Sequence, residues 1–516
     1  MMKHKTYMAV CTLLLCLCLQ LRVSAQPGTI HMTPVQQIPL ERMRIECNPK
    51  FYGLIDTSKL YINLASGFRA RLFYTGGLKR PRFITFSPEG VLHVSDYGGG
   101  DGKVYAMPDA NNDGVADTVF VVAQALINNH DVKFYKGAMY VTETMRVNRF
   151  RDLDHNGSYD KRDTFISGIA NGGHSTRTIV FDSINQKLYL STGSSCNVCR
   201  DVNRADIKQY NEDGTGGHVH ASGIRNAVGM TLHPYTNRLW ADNNGSDNLG
   251  DTTPPEWVDL VRENGFYGWP FAYANQVWNP FNTGPSEYQA LRPITASDSA
   301  KVAGMIEPAA LVHAHMAPMA LQFLNSSFPP AYQNGMLMAV HGSWNTNPGK
   351  FTGYKVQYLD LSSPTDTSVN YVTDFITGFL TDSVADTYWG RPCGLAVDLR
   401  GRIYMSSDEG NKFILMIYPL IPPGMGEKKM LDGFSSYPNP FKEEIHFDFT
   451  LSQHADVSLA VYDMQGRMAM NIPHTRMKSG TNEMVLNTAS LNAGIYFYQL
   501  KAGDESVTGK IVKTTE

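Results

Sequence analysis

The stretch HSTRTIVFDSINQKLYLSTG, residues 174–193, decides the fold because it is one copy of a repeated unit. A Gly- or Pro-marked turn leads into an apolar strand, a short polar turn follows, and a second strand rich in Tyr, Val and Ser completes a hairpin. The same plan recurs in RPRFITFSPEGVLHVSDYG (80–98), HDVKFYKGAMYVTETMRVNRF (130–150), RNAVGMTLHPYTNRLWADNNG (225–245), MALQFLN followed by GMLMAVHGSWN (319–345) and RPCGLAVDLRGRIYMSSDEGN (391–411). Hairpins repeating at roughly 40 to 50 residues indicate radial packing, because one such sheet cannot bury both faces alone whereas neighbours around an axis can. The expected fold is all-β, with a six-bladed β-propeller over residues 60–424.

Outside the repeats, the 516 residues are too many for one ordinary domain, given about 150 residues per domain. After residue 424 the composition shifts to a small unit of alternating strands, so a linker at 425–434 and an Ig-like β-sandwich at 435–516 are expected. At the other end, Lys3 and Lys5 precede an apolar run from Met8 to Leu21, and Val23-Ser24-Ala25 forms a small-residue cleavage site. Residues 1–25 therefore read as a signal peptide, followed by an N-terminal segment at 26–59. Cys16 and Cys18 lack the preceding small residue of a lipid-modified cysteine. No other segment has the length of an apolar membrane span, so the mature chain is expected to have none. A net charge of −3 supplies no basic field for nucleic acid; small neutral substrates fit better.

Cleavage would leave Cys47, Cys196, Cys199 and Cys393. Cys196-x-x-Cys199 is followed by Arg200 where an attached haem needs histidine, and no thioredoxin-like pattern surrounds it, so a structural disulfide or an inert pair is favoured over redox catalysis. Two hairpins also carry aspartate-rich turns, DANNDGVAD (109–117) and DLDHNGSYD (152–160). Asp109, Asn111, Asp113 and Asp117 in one, and Asp152, Asp154, Asn156 and Asp160 in the other, offer alternating hard oxygens around a glycine, which suits a structural Ca²⁺. Position 12 is Phe120 or Asp163, so neither is an EF-hand; the metal-free alternative is an Asx turn. The polar segment 283–310 breaks the hairpin pattern and reads as an insertion between blades.

Residues 219–271 concentrate chemistry: the pair Arg225-Asn226, a strand ending at Trp240, the turn NNGSDNLGD (243–251) and the aromatic FYGWP (266–270). With HGSWN (341–345), HMAPMALQF (315–323) and GSSCNVC (193–199), this order resembles the soluble quinoprotein sugar dehydrogenases, the glucose/sorbosone dehydrogenase family, and within it the sorbosone and pyranose dehydrogenase branch. The resemblance covers about residues 60–420. It implies pyrroloquinoline quinone (PQQ) bound with Ca²⁺ at the channel mouth, a small sugar as substrate and an external electron acceptor. His174 would be the base and Arg225 the cation that stabilises developing negative charge. Asn226, Arg82 and Arg391 would contact the cofactor, as would Lys350 or His341, and Gly245 and Ser246 would offer backbone carbonyls to Ca²⁺. Asp247 and Asp251 are alternative ligands for a supporting Ca²⁺. Gly173 stands where the glucose-oxidising branch has an acid, and Ser246 where it has proline.

The tail carries SYPNPF (436–441), VYDMQGR (461–467), LNAGIYFYQL (491–500) and Lys510-Ile511-Val512-Lys513. In this order the motifs resemble the sorting domain of the type IX secretion system, which implies that machinery as a partner and a secreted or surface-attached product. Two other functions use the same scaffold: a metal-dependent sugar lactonase, which needs carboxylate and Asn ligands at the axis, and a non-catalytic propeller that binds glycans or peptides.

Overall fold

The computed structural model describes residues 28–154, 159–324, 328–363, 365–398, 400–420, 431–451, 454–464, 466–502 and 505–515. The signal segment, Asn156 and most of the expected linker lie outside the described residues. Among those described, the predicted hairpins form the first two strands of six sheets, antiparallel except where Gly265–Phe266 joins the third in parallel beside His218–Ser222. The first sheet runs Pro81–Phe86, Leu92–Asp96, Gly102–Met107, Phe120–Leu126, and the second Val132–Tyr135, Ala138–Glu143, Arg146–Arg151, Lys161–Ile166. The third runs Ile179–Asp182, Lys187–Thr192, Asp206–Asn211, His218–Ser222, and the fourth Met230–Leu232, Leu239–Asn243, Glu256–Leu260, Ala310–Val312. The fifth begins with Pro318–Phe323, Met336–Val340, Lys355–Asp360 and Tyr371–Thr377, and the sixth with Gly390–Val397, Ile403–Gly410 and Phe413–Pro419.

The first strand of each sheet touches the first strand of the next, and the sixth returns to the first, so the sheets stand around one axis as a β-propeller. Second strands are sealed between neighbours: every residue of Leu92–Asp96, Ala138–Glu143, Leu239–Asn243 and Met336–Val340 is buried, as expected of strands covered on both faces. Outer strands such as Lys161–Ile166 are mostly exposed.

Strands that precede the first repeat supply what the repeats lack. Phe68–Thr75 pairs antiparallel with Phe413–Pro419, from Phe68 opposite Pro419 to Thr75 opposite Phe413, and so completes the sixth sheet. Leu40–Arg44 and Tyr61–Ala65 extend the fifth sheet beyond Tyr371–Thr377. Of the segment 26–59, read as lying before the propeller, Leu40–Arg44 is thus a strand of the fifth sheet. The pairing of Phe68–Thr75 has a physical effect: it satisfies the outward N–H and C=O groups of Phe413–Pro419, which would otherwise stand as an open edge. The insertion folds as two short helices, Ser286–Gln289 and Ala296–Ala303, the second begun by a Thr295/Asp298 capping box. They bury Tyr288, Leu291 and Val302 against Val198 and Phe271.

The C-terminal unit has its own core. Leu431–Tyr437, Glu444–Leu451 and Gly480–Asn487 form one sheet, and Met468–Met477, Ala455–Tyr462, Gly494–Ala502 and Glu505–Lys513 another. Alternating inward residues, among them Phe447, Phe449, Val457, Leu459, Tyr498 and Leu500, make one apolar cluster. Its first strand begins at Leu431, inside the segment read as linker. No helix among the described residues is long and apolar enough to cross a membrane.

Candidate functional site

Residues from all six first strands, among them Phe86, Phe134, Phe181, Leu232, Gln322 and Val397, line one axial cavity of about 450 Å³. The residues singled out from sequence lie toward the opposite ends of these strands, where the chain enters each sheet. Two clusters form there.

The first surrounds His174. Its Nδ1 lies 3.0 Å from the backbone oxygen of Ser194 and 3.1 Å from Ser194 Oγ. That hydroxyl donates its own proton to the Cys196 carbonyl at 2.6 Å, so Nδ1 must carry the imidazole proton and Nε2 is left as an acceptor. Burial, with Arg225 nearby, lowers the His174 pKa to about 4. The loop is held by two arginines that sequence reasoning missed: Arg177 donates to the carbonyls of His174 and Ala170, each at 2.7 Å, and Arg204 donates to Gly193 at 2.9 Å and Asn171 at 2.7 Å. At Gly173, with φ +60°, an added Cβ would land on the Ser194–Ser195 backbone, 2.6 Å from the Ser195 carbonyl carbon. The acid of the glucose-oxidising branch has no room in this loop.

Gly193 is equally constrained. A Cβ there would overlap Asn226 Oδ1 and stand 2.7 Å from His174 Cβ. Gly193→Ala is expected to cost about 1–3 kcal/mol, the usual penalty of overpacking, measured as a lower urea midpoint. An unchanged midpoint would mean that Asn226 and His174 yield without strain.

Arg225, 5% exposed, donates Nη2 to Asp247 Oδ2 at 2.8 Å and to Asn197 Oδ1 at 3.1 Å. The other oxygen of Asp247 accepts from Asn345 at 2.6 Å and lies 3.9 Å from His315 Nδ1. Asp251 accepts from the backbone and side chain of Asn347. Both aspartates therefore tie the 244–251 turn to the 341–350 loop. Beneath the turn, buried Glu256 accepts the Gly245 N–H, and burial raises its pKa to about 8. Ser246 is buried, whereas Lys350 is exposed and closes a turn onto Asn347.

The second cluster centres on Asp408, fully buried in the sixth sheet. It pairs with Arg82, accepts His341 Nε2 at 2.5 Å and lies 3.5 Å from Arg80 Nε. Burial acts to raise the Asp408 carboxyl, but His341, Arg82 and Arg80 outweigh it and hold the group well below the usual carboxylate range. Burial lowers the His341 pKa, against the pull of Asp408. Arg391 pairs with Glu409 at 2.7 Å, donates to the carbonyls of His341 and Gly342, and lies over Tyr354 at 5.1 Å. A cavity lined by Arg80, Arg82, Tyr97, Asn128, His130, Ser175 and Thr176 joins this cluster to the His174 loop. Glu256, Asp408, Glu409 and Asn197 were the missed partners. A usable signal existed: Asp96, Glu143, Asp242 and Asp408 all stand within two residues of the end of a second strand, and the first three accept backbone N–H groups from Arg80, Ile127 and Val228.

Cys196 and Cys199 are disulfide-bonded. The two aspartate turns differ. Asp113, Asp117 and Asp109 spend carboxylate oxygens on the N–H groups of Val115, Ala110 and Gly114, while Asn111 accepts from Asp113 N. In the other turn, Asp152, Asp154 and Asp160 bring one oxygen each within 4.8 Å of one another.

Residues 435–514 match the secretion system C-terminal sorting domain. The chain is 27% identical to the pyrroloquinoline quinone-dependent pyranose dehydrogenase of Coprinopsis cinerea over 70% of its length, a match that spans 56% of that protein. It is 26% identical to the pyrroloquinoline quinone-dependent sugar dehydrogenase of Hypocrea jecorina, with 68% of this chain and 88% of that one covered. The solved PQQ domain of the Coprinopsis pyranose dehydrogenase, in its holo form, superposes with a TM-score of 0.55 at 24% identity, covering 69% of this chain and 96% of the domain. A match of residues 62–419 to the TrAA12-like model spans the whole ring of sheets, and the chain belongs to that family.

Proposed function

We propose that this protein is a secreted PQQ- and Ca²⁺-dependent dehydrogenase, built on a six-bladed propeller, that oxidises a sugar or keto-aldose at its aldehyde or hemiacetal carbon. The observation that carries the reading is the tautomer of His174: with Nδ1 committed to Ser194 O, Nε2 is a neutral base at the mouth. Two features fit a planar polyanion such as PQQ. Asn226 Oδ1 is buried without a hydrogen-bond partner among the described residues, an acceptor for an N–H on a cofactor edge. Arg80, Arg82, Arg225 and Arg391 are held in the two clusters by Asp247, Asp408 and Glu409, guanidinium partners suited to the carboxylates of such a ligand.

When bound, PQQ beside Ca²⁺ supplies the two-electron acceptor. Arg82, Arg391, Asn226, His341 and Lys350 are the residues that would hold it, and Gly245 and Ser246 the carbonyl donors to the ion. His174 Nε2 removes the substrate hydroxyl proton. Arg225, braced on three sides, holds a fixed positive charge beside the reacting centre and does not have to reorganise as charge develops. A structural Ca²⁺ in the Asp152–Asp160 turn is part of the same proposal, as are export by the type IX machinery, an Ig-like tail and an external electron acceptor.

The decisive experiment titrates the mature chain with PQQ and Ca²⁺ and follows reduction of a dye acceptor with a panel of pyranoses; neither binding nor turnover would sink the reading. The pH profile tests the base. A lowered pKa means that His174 is neutral above about 4, so kcat/KM should hold at pH 5–6 and fall tenfold per unit only below about 4. An acid limb near the ordinary imidazole value of about 6.5 would show that burial does not govern this group.

A further inference from the structure

Asn197, one of the two residues enclosed by the Cys196–Cys199 bond, turns all its side-chain polar atoms and its carbonyl toward the site. Its backbone oxygen accepts Arg225 Nε at 3.2 Å and the Trp269 indole N–H at 3.0 Å. Its Oδ1 accepts Arg225 Nη2 at 3.1 Å and the Asp247 N–H at 2.7 Å, while Nδ2 donates to the Asp247 carbonyl at 3.1 Å and to Glu287 Oε1 at 2.8 Å. The insertion closes on the same turn: Tyr288 OH donates to the Asp247 carbonyl at 2.6 Å, Glu287 also accepts from Asn248 at 2.8 Å, and Arg200 pairs with Asp298 at 2.8 Å. On the inner side, the Cys196 carbonyl takes the Ser194 hydroxyl proton that would otherwise compete for His174 Nδ1.

We infer that Asn197, fixed by the Cys196–Cys199 disulfide and braced by the 283–310 insertion, is a positioning residue that sets Arg225 and the 245–247 carbonyl turn against His174. A primary amide is the side chain this place requires. It presents an acceptor to Arg225 and Asp247 N–H and a donor to Asp247 O and Glu287 on one rigid plane. An aspartate would keep the first pair and set like charge against Glu287. The bond spans a sequence separation of three, and so short a loop removes little entropy from the unfolded chain. Its effect is therefore mainly local, on the hub it holds in place.

The positioning stands on geometry alone; its consequence for turnover rests on the dehydrogenase reading. The mature chain is treated with a phosphine, which takes up the oxygen of one water as two electrons and two protons pass to the sulfurs, and amide exchange is compared with untreated protein. Peptides covering 194–200 and 244–251 should exchange at least tenfold faster, with the melting temperature and the remaining sheets unchanged. Asn197→Ala should accelerate 244–251 with the disulfide intact and, in PQQ-loaded protein, lower kcat at least tenfold with little change in sugar KM. Unchanged exchange at 244–251, acceleration spread evenly over all six sheets, or full kcat in Asn197→Ala would each overturn the proposal. If untreated protein neither binds PQQ nor oxidises sugars, the dehydrogenase reading fails while the exchange result still decides the role of Asn197.

Discussion

His174→Ala lowers kcat by about 10²- to 10⁴-fold, the range contributed by one positioned general base, and leaves PQQ affinity nearly unchanged. The expectation follows from how the imidazole is held. Its Nδ1 side is anchored to a backbone oxygen and the loop carrying it is pinned by Arg177 and Arg204, so truncation removes the base without releasing the loop. Arg225, Asn226 and the arginines of the Asp408 cluster keep their own partners, so the surface facing the cofactor persists. Added imidazole should restore part of the lost rate by occupying the vacated space. Wild-type turnover in the variant, or loss of PQQ binding in parallel with activity, would remove His174 from the role of base.

Asp408→Asn is expected to destabilise the propeller by about 3–5 kcal/mol, the cost of leaving buried charge without its partner. Asp408 holds Arg82, Arg80 and His341 at once, and Arg82 is itself only 8% exposed. An amide keeps one acceptor but cannot neutralise the guanidinium. The sign with pH follows from a lowered native carboxyl: its contribution is present above the unfolded value of about 3.9 and is lost as pH falls from there toward the native one. The difference between wild type and variant should thus be flat from pH 5 to 8 and shrink under acid, in denaturant melts at fixed salt. A difference below 1 kcal/mol at pH 7 would mean that water or a rearranged Glu409 replaces the carboxylate.

Local structure was legible because the information is local. Strand-turn-strand spacing in 80–98 or 174–193 declares a hairpin, and alternation in 491–500 declares a half-buried strand. Closure was not legible. The pairing of Phe68–Thr75 with Phe413–Pro419 joins strands more than 300 residues apart in sequence, and nothing in either says which edge it will meet. The same limit applied to the site. His174, Arg225 and Arg391 stood out by residue type and motif, whereas Asp408 and Glu409 looked like the end of another strand. Asn197 was hidden by its neighbours, since a CxxC draws attention to sulfur chemistry. The 283–310 insertion had no period to read, and only packing reveals that Tyr288 reaches the Asp247 carbonyl.

The strand that completes the sixth sheet also sets a schedule for assembly. Phe68–Thr75 leaves the ribosome early, yet its partner Phe413–Pro419 arrives only when nearly all of the propeller has been made. Arg82 meets its counter-charge at Asp408 on the same late schedule. Long-range pairings of this kind form slowly, because the intervening chain must be ordered before the contact repays it. A prematurely terminated chain would carry His174 and Arg225 but neither a closed ring nor a neutralised Arg82. Competence to bind a ligand at the mouth should therefore appear in one step, once Phe413–Pro419 has been made and paired.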